Sequence, residues 1–134
     1  YKRIIDAGHK TGNHTYSHQR GWGMSAERYV EDVDFAGDLI RSDLFRPPYA
    51  RITPAQTRAL AARYHLVMWD IISRDYNRKL SPKACLRNVI PYIEGGSIVV
   101  FHDSVKAFRN MRYALPRTLE HIRKLGLKCA PIEL

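Results

Sequence analysis

Histidines crowd into one short, glycine-punctuated stretch near the start of this sequence. His14 and His18 lie four residues apart in HTYSH, and His9 lies five residues upstream, although the chain has only six histidines. Neutral imidazole is a good ligand for zinc and similar divalent metals, and two imidazoles can meet at one point if the backbone turns between them. Two histidines with one carboxylate and an open water position are typical of catalytic zinc. A pair of exposed loop histidines is the alternative, because this spacing is common.

Three further clusters combine charged, aromatic and proline side chains. RPPY, from Arg46 to Tyr49, joins a planar cation to two prolines, and such a stiff loop can present backbone N–H groups to an oxyanion. SRDY contains Asp75, a carboxylate that could orient a catalytic histidine. FHDS places His102 directly after an apolar run, where an imidazole could serve as a general acid. Taken singly, each cluster is weak, and an ordinary loop is the commoner explanation.

The elements predicted around these clusters are helices alternating with short apolar strands. Capping residues and apolar periodicity predict helices at residues 1–7, 25–41, 53–64, 81–91 and 113–125, and strands at 9–13, 44–45, 65–71, 97–101 and 127–132. Apolar strands separated by helices favour parallel β/α units, in which chemistry gathers where strands end. Each polar cluster follows a predicted strand, so the sequence predicts one site at their common mouth.

Composition narrows the class of protein. The 134 residues suit a single domain, and no apolar run is long enough to predict a transmembrane helix. The formal charge of +9 keeps a basic nucleic-acid module open as an alternative, but Lys and Arg are scattered, so we predict no nucleic-acid partner. Cys85 and Cys129 fit no metal motif, and two buried thiols are predicted in preference to a disulfide.

In this order, the clusters resemble the motifs of the polysaccharide deacetylase family, the NodB-homology domain of carbohydrate esterase family 4. IIDAGHKTGNHTYSH resembles the second motif of that family, and FRPPYA, ISRDY and VVFHDS resemble the third, fourth and fifth. The resemblance covers essentially the whole chain, as the C-terminal part of one such domain over residues 1–134. It implies a deformed (β/α) barrel and metal-dependent hydrolysis of N-acetyl, sometimes O-acetyl, groups on polysaccharides such as peptidoglycan or chitin-like polymers. It also implies action outside the cytoplasm or in the cell envelope.

The resemblance implies roles for the first two matching motifs. His14 and His18 would be ligands of a divalent metal, with zinc as the expected ion. Arg46 would hold the carboxylate of the catalytic base in position. The backbone N–H of Tyr49 would contribute to the oxyanion hole.

The remaining motifs imply a proton donor and a substrate groove. Asp75 would pair with His102, and His102 would protonate the leaving amine, which is a poor leaving group otherwise. Contacts with an N-acetylglucosamine-containing polysaccharide are expected from Pro48, Trp69 and Tyr76.

Departures from the family pattern motivate a second hypothesis. The first motif, T-F-D-D, which would supply the base aspartate and a third metal ligand, is absent and is expected upstream, together with the first strands of the barrel. Ile72 stands at an aspartate position of the fourth motif, and Ala50 replaces a glycine of the third. The alternative is therefore a catalytically inactive relative that binds carbohydrate. Its stacking platforms would be Trp22, Trp69 and Tyr76.

Overall fold

The computed structural model describes residues 1–133, which form two compact units. The first unit comprises Tyr1–Met68 and the residues from Pro131 on, and the second comprises Trp69–Ala130. Both units are mixed α/β, and the prediction of a single domain stays a prediction. Over the described residues, no helix combines the length and the apolar character that crossing a bilayer requires.

The first unit packs two helices against a small parallel sheet. Its elements are α1 (Lys2–Asp6), α2 (Ala26–Gly37), β1 (Leu44–Phe45), a 3-10 turn (Pro48–Ala50), α3 (Pro54–Leu60) and β2 (His65–Leu66). β1 pairs in parallel with β2, and Asn13 forms a parallel bridge with Phe45. The predicted strand at 9–13 is thus a single bridge. The core of the unit consists of Tyr29, Val33, Phe45 and Leu60.

Two predicted helix starts are confirmed by their caps. The Ser25 hydroxyl accepts a hydrogen bond from the Arg28 N–H at the start of α2. Thr53 and Gln56 form a reciprocal capping box at the start of α3, with Pro54 at the first helical position. Both helices end about four residues earlier than predicted, because their last residues continue as turns instead of full helix.

The second unit has a parallel strand pair and two packed helices. Its elements are β3 (Ile71–Ile72), α4 (Pro82–Arg87), a 3-10 turn (Ile90–Tyr92), β4 (Val99–Val100) and α5 (Phe108–Lys124). β3 lies parallel to β4, with Ile71 opposite Val99 and Ile72 opposite Val100. α4 packs against α5.

The single strand predicted at residues 65–71 is wrong. The run contains β2 and the first residue of β3, which belong to different sheets. The ladder of β2 ends with the Val67 N–H bonded to the Phe45 carbonyl. Just before β3, the Asp70 carboxylate accepts a hydrogen bond from the Ile98 N–H at 2.6 Å. This bond also lowers the pKa of the Asp70 carboxyl. An apolar run in a sequence indicates that its residues are buried. It does not show where one strand ends and another, which pairs with a different segment, begins.

Two predictions at the end of the chain are also wrong. α5 begins at Phe108, five residues before the predicted start, and its N-cap Ala107 offers no side-chain acceptor that sequence reasoning could detect. No strand occurs among residues 127–132; instead the Leu127 N–H bonds the Ile122 carbonyl and closes the helix around Gly126. The helix end at Gly126 is as predicted.

The two cysteines differ in burial. Cys85 is a buried free thiol, as predicted, and burial raises its pKa to about 11. Cys129 is also free but exposed, so its predicted burial is wrong. Cys129 lies within the predicted strand at 127–132, which does not form.

Replacing Tyr29 by phenylalanine is expected to stabilise the first unit. Tyr29 is fully buried, and its hydroxyl has no hydrogen-bond partner among the described residues. Burial, with the nearby Asp32 charge, raises its pKa from 10.0 to about 12. Removing an unsatisfied buried hydroxyl should add about 1 kcal/mol to the free energy of unfolding at pH 7.

The pH dependence gives this variant a second readout. Between pH 10 and 12 the unfolded phenol ionises and the buried one does not, so the wild type should lose up to about 1.4 kcal/mol per pH unit relative to Tyr29→Phe. Urea unfolding of both proteins at pH 7 and at pH 10–12 measures this difference. A variant less stable than the wild type at pH 7 would contradict the assignment of an unsatisfied hydroxyl.

Candidate active site

In the first unit, neighbouring parallel chain segments bring His14 and Arg46 together. Asn13 and Phe45 form a parallel bridge, so the residues that follow them emerge at the same edge. The His14 Nδ1–H donates to the backbone carbonyl of Arg46. With the proton on Nδ1, the lone pair of this imidazole lies on Nε2, which is the arrangement that second-shell carbonyls impose on metal-binding histidines.

The loop from His14 to His18 folds back so that the two rings meet. Their centroids are 5.0 Å apart and the ring planes are inclined at 74°. Thr15 and His18 adopt φ values of 61° and 54°, the left-handed region that a β-branched residue such as threonine rarely adopts. Such strain costs about 1–3 kcal/mol per residue and is typical of functional loops.

Buried polar contacts hold this strained loop. The Asn13 side chain, which is 1% exposed, accepts from the Thr15 N–H and donates to the carbonyl of Val33 in α2 at 2.8 Å. The Asp32 carboxylate of α2 accepts from the N–H and hydroxyl of Ser17. Sequence reasoning missed both anchors, although an asparagine directly before the loop is a recognised signal of side-chain bonding to the backbone two residues on.

Arg46 is held from three sides. Its backbone N–H donates to the Asn13 carbonyl, its own carbonyl accepts from His14, and its Nε donates to the Val67 carbonyl at 3.0 Å. Partial burial lowers the pKa of the guanidinium, which still remains charged at neutral pH. The guanidinium is therefore a fixed positive charge suited to holding an anion.

The turn after Arg46 carries a second strained pair. Tyr49 and Ala50 have φ values of 58° and 57°, and the turn is closed by the N–H groups of Ala50 and Arg51. The Tyr49 ring is 63% exposed and stands edge-on to the His18 ring at 5.0 Å. Tyr49 thus borders the histidine pair.

Pro48 takes a different part from the one expected of it. Its side chain is fully buried, so it offers no surface to a substrate. The expected substrate contact of Pro48 is therefore wrong. As a buried proline, it stiffens the turn before Tyr49.

The histidine pair fits part of a zinc-type site. Two imidazole rings stand edge-on with centroids 5.0 Å apart, and one has its tautomer set by a backbone carbonyl, which suits two ligands of a divalent metal. Within residues 1–133, no group of three or more His, Cys, Asp or Glu side chains is placed to hold one ion.

In the second unit, the parallel strands β3 and β4 bring Asp75 and His102 together. Each residue follows the carboxyl end of its strand, and adjacent parallel strands end at the same edge. One oxygen of the fully buried Asp75 carboxylate lies 2.7 Å from His102 Nδ1, and the other accepts the His102 N–H at 2.7 Å. This pairing places the His102 proton on Nδ1 and turns Nε2 away from the carboxylate.

Aromatic side chains are partly exposed in both units. In the second unit, the Tyr76 ring is 41% exposed and stands edge-on to the His102 ring, with centroids 4.9 Å apart. Trp69 is half-buried. In the first unit, Trp22 is 58% exposed and lies under the Arg51 guanidinium. Tyr76 therefore borders a candidate catalytic group.

The predicted site residues fall into two groups, one in each unit. The first group consists of His14, His18, Arg46 and Tyr49. The second consists of Asp75, Tyr76 and His102. Their contacts are shown by the structure, and the catalytic and binding roles assigned to them remain predictions.

Comparison with known proteins identifies relatives of this chain. Residues 1–69 match the profile of the polysaccharide deacetylase family. A peptidoglycan-N-acetylglucosamine deacetylase of Bacillus cereus is 27% identical over 135 residues, which covers 95% of this chain and 63% of the relative. The chain spans less than two thirds of the length of the curated relatives it matches first.

Solved structures show the fold. The crystal structure of a peptidoglycan N-acetylglucosamine deacetylase is similar with a TM-score of 0.84 and 22% identity, covering 98% of this chain and 64% of that one. A CE4 family pseudoenzyme from Bacillus anthracis is similar with a TM-score of 0.78 and 22% identity, covering 98% and 47%. The predicted NodB-type α/β fold is confirmed by this similarity.

Proposed function

Because this chain belongs to the polysaccharide deacetylase family, we propose that it takes part in metal-dependent hydrolysis of N-acetyl groups on an amino-sugar polysaccharide. The reaction cleaves a C–N amide bond that is not a peptide bond and releases acetate. The name of the Bacillus cereus relative supports N-acetylglucosamine as the substrate unit and peptidoglycan as the polymer. A chitin-like polymer is the alternative substrate.

The observation that carries this proposal is the histidine pair. His14 and His18 meet at 5.0 Å in a strained loop, and the Arg46 carbonyl orients the His14 ring. Ordinary loop histidines need neither strain nor a fixed tautomer. We assign both as ligands of a divalent metal, with zinc as the expected ion. When bound, the metal supplies a Lewis acid that polarises the acetamide carbonyl and makes a water molecule more acidic.

We assign Arg46 and Tyr49 to binding negatively charged groups during the reaction. The Arg46 guanidinium, fixed by the Val67 carbonyl, would hold the carboxylate of a catalytic base. The backbone N–H of Tyr49 lies in a rigid turn and would donate to the oxyanion of the tetrahedral intermediate. Donors that are already ordered need not reorganise during the reaction.

We assign His102 as the proton donor to the leaving group. Asp75 holds a proton on Nδ1, so His102 would deliver a proton from Nε2 to the departing amine. Tyr76 stands against His102 and is assigned, with Trp69, to contact with the sugar rings. Because peptidoglycan, the polymer in the name of the Bacillus cereus relative, lies outside the cytoplasm, we place this activity in the cell envelope or outside the cytoplasm.

Acetate release tests the proposal. The full-length protein is incubated with N-acetylglucosamine oligomers and with peptidoglycan, with and without a chelator. We expect acetate to be released, release to stop with the chelator, and zinc to restore it. No acetate from any acetylated polymer, in a protein that is folded and zinc-loaded, would refute the enzymatic proposal.

A carbohydrate-binding relative without catalysis is the second candidate. It is favoured by the similarity to a pseudoenzyme structure, which shows that this fold also occurs in an inactive protein. It predicts binding of N-acetylglucosamine oligomers without acetate release. Binding measured by calorimetry, alongside the acetate assay, separates the two functions.

A further inference from the structure

The turn that carries Asp75 is built from buried polar groups. Ser73 and Asp75 are fully buried, and the Ser73 hydroxyl accepts from the Asp75 N–H at 3.3 Å. Between them, Arg74 has a φ of 55°, in the left-handed region. A conformation of this kind costs about 1–3 kcal/mol and persists only where its surroundings enforce it.

Two asparagines on the neighbouring helices enforce it. The Asn110 amide of α5 donates to the carbonyls of Asp75 and Asn77, at 3.0 and 3.1 Å. The Asn88 amide, at the end of α4, donates to the carbonyl of Ser73 at 3.1 Å. Three alternate carbonyls of one turn are thereby held by two side chains, and both of their helices pack together.

Asn110 occupies its position at an energetic cost. It is 2% exposed, and its Oδ1 has no hydrogen-bond partner among the described residues. A buried unsatisfied acceptor costs about 1–3 kcal/mol, which an apolar side chain of similar size would avoid. The two bonds that its amide donates are what distinguish it from a leucine.

We propose that Asn110 is a positioning residue for the Asp75–His102 pair, because it fixes the turn from which the Asp75 carboxylate reaches His102. Both contacts of that carboxylate, to the His102 N–H and to Nδ1, measure 2.7 Å. We expect a turn released from Asn110 to lose at least one of these contacts. The kinetic part of this inference rests on the proposed function, and the structural part does not.

Three variants of the full-length protein test it. Asn110→Leu keeps the size and removes both donors, and Asn110→Ser is a milder version. Thr118→Val is the matched control, since Thr118 lies on the same helix, is 2% exposed and has an unpartnered hydroxyl among the described residues. NMR of the His102 Nδ1 proton reports its hydrogen bond to Asp75. We expect its exchange with solvent to be about tenfold faster in Asn110→Leu and unchanged in Thr118→Val.

Kinetics give the second readout. On an acetylated polymer, kcat of Asn110→Leu should fall about tenfold with KM unchanged, and Thr118→Val should match the wild type. Wild-type proton exchange in Asn110→Leu, or in Asn110→Ser if the leucine variant does not fold, would overturn the inference. So would equal effects of the Asn110 and Thr118 variants. If the wild type releases no acetate, the proposed function fails, and the NMR result still decides whether Asn110 positions the Asp75–His102 pair.

Discussion

His18→Ala is expected to abolish both metal binding and acetate release in the full-length protein, and His14→Ala should do the same. Each change removes one of two imidazoles whose rings stand 5.0 Å apart. Loss of an outer partner of a metal ligand costs about 10–100-fold in affinity, and loss of the ligand itself should cost more. Metal content after dialysis and initial rates of acetate release measure the effect.

His9→Ala is the matched control for these variants. His9 belongs to the same histidine-rich stretch and is exposed. We expect its replacement to leave metal content and rate at wild-type values. Unfolding in urea shows whether each variant is folded. Folded His14→Ala or His18→Ala protein with wild-type metal content would refute the ligand assignment.

Replacing either member of the Asp75–His102 pair should slow catalysis strongly and leave metal binding unchanged. Asp75→Asn places an amide where the carboxylate fixes the His102 tautomer, and His102→Ala removes the proposed proton donor. General acid–base groups contribute about 10²–10⁴-fold, so kcat should fall by about a thousandfold in either variant. The double variant should be little worse than either single one, because the two residues act as a unit.

Asp103→Asn is the control for this pair. Asp103 follows His102 in sequence and is exposed, and its replacement should leave kcat near the wild-type value. Metal content should stay at the wild-type level in all of these variants. Near-normal turnover in His102→Ala would remove this histidine from the role of proton donor.

Part of the fold and site is determined locally and could be predicted from the sequence. Caps such as Ser25 and Thr53 satisfy N–H groups three residues on, so the residue types alone fix where α2 and α3 begin. Short apolar strands alternating with helices predict parallel pairing, and parallel pairing predicts that residues after the strands collect at one edge. The meeting of Asp75 and His102 beyond β3 and β4 is as expected.

The prediction failed where pairing partners or missing caps decide the structure. The apolar run 65–71 is divided between two sheets, a choice made by Phe45 and Ile98 on other segments. α5 begins at an alanine cap that gives no signal. The local sequence pattern indicates which residues are buried and whether they repeat with a helix or strand period. Neither property identifies a pairing partner that is distant in the sequence.

The sequence by itself determined the kinds of side chain available for chemistry, the order of the motifs and the parallel β/α plan. Only the tertiary structure decided which His14 nitrogen is protonated, since that depends on a carbonyl 32 residues away. It also decided that Asn110, 35 residues from Asp75, holds the turn of the candidate proton donor. Hydrogen bonds of this range depend on how whole helices and strands pack, and the identity of the two residues does not encode that packing.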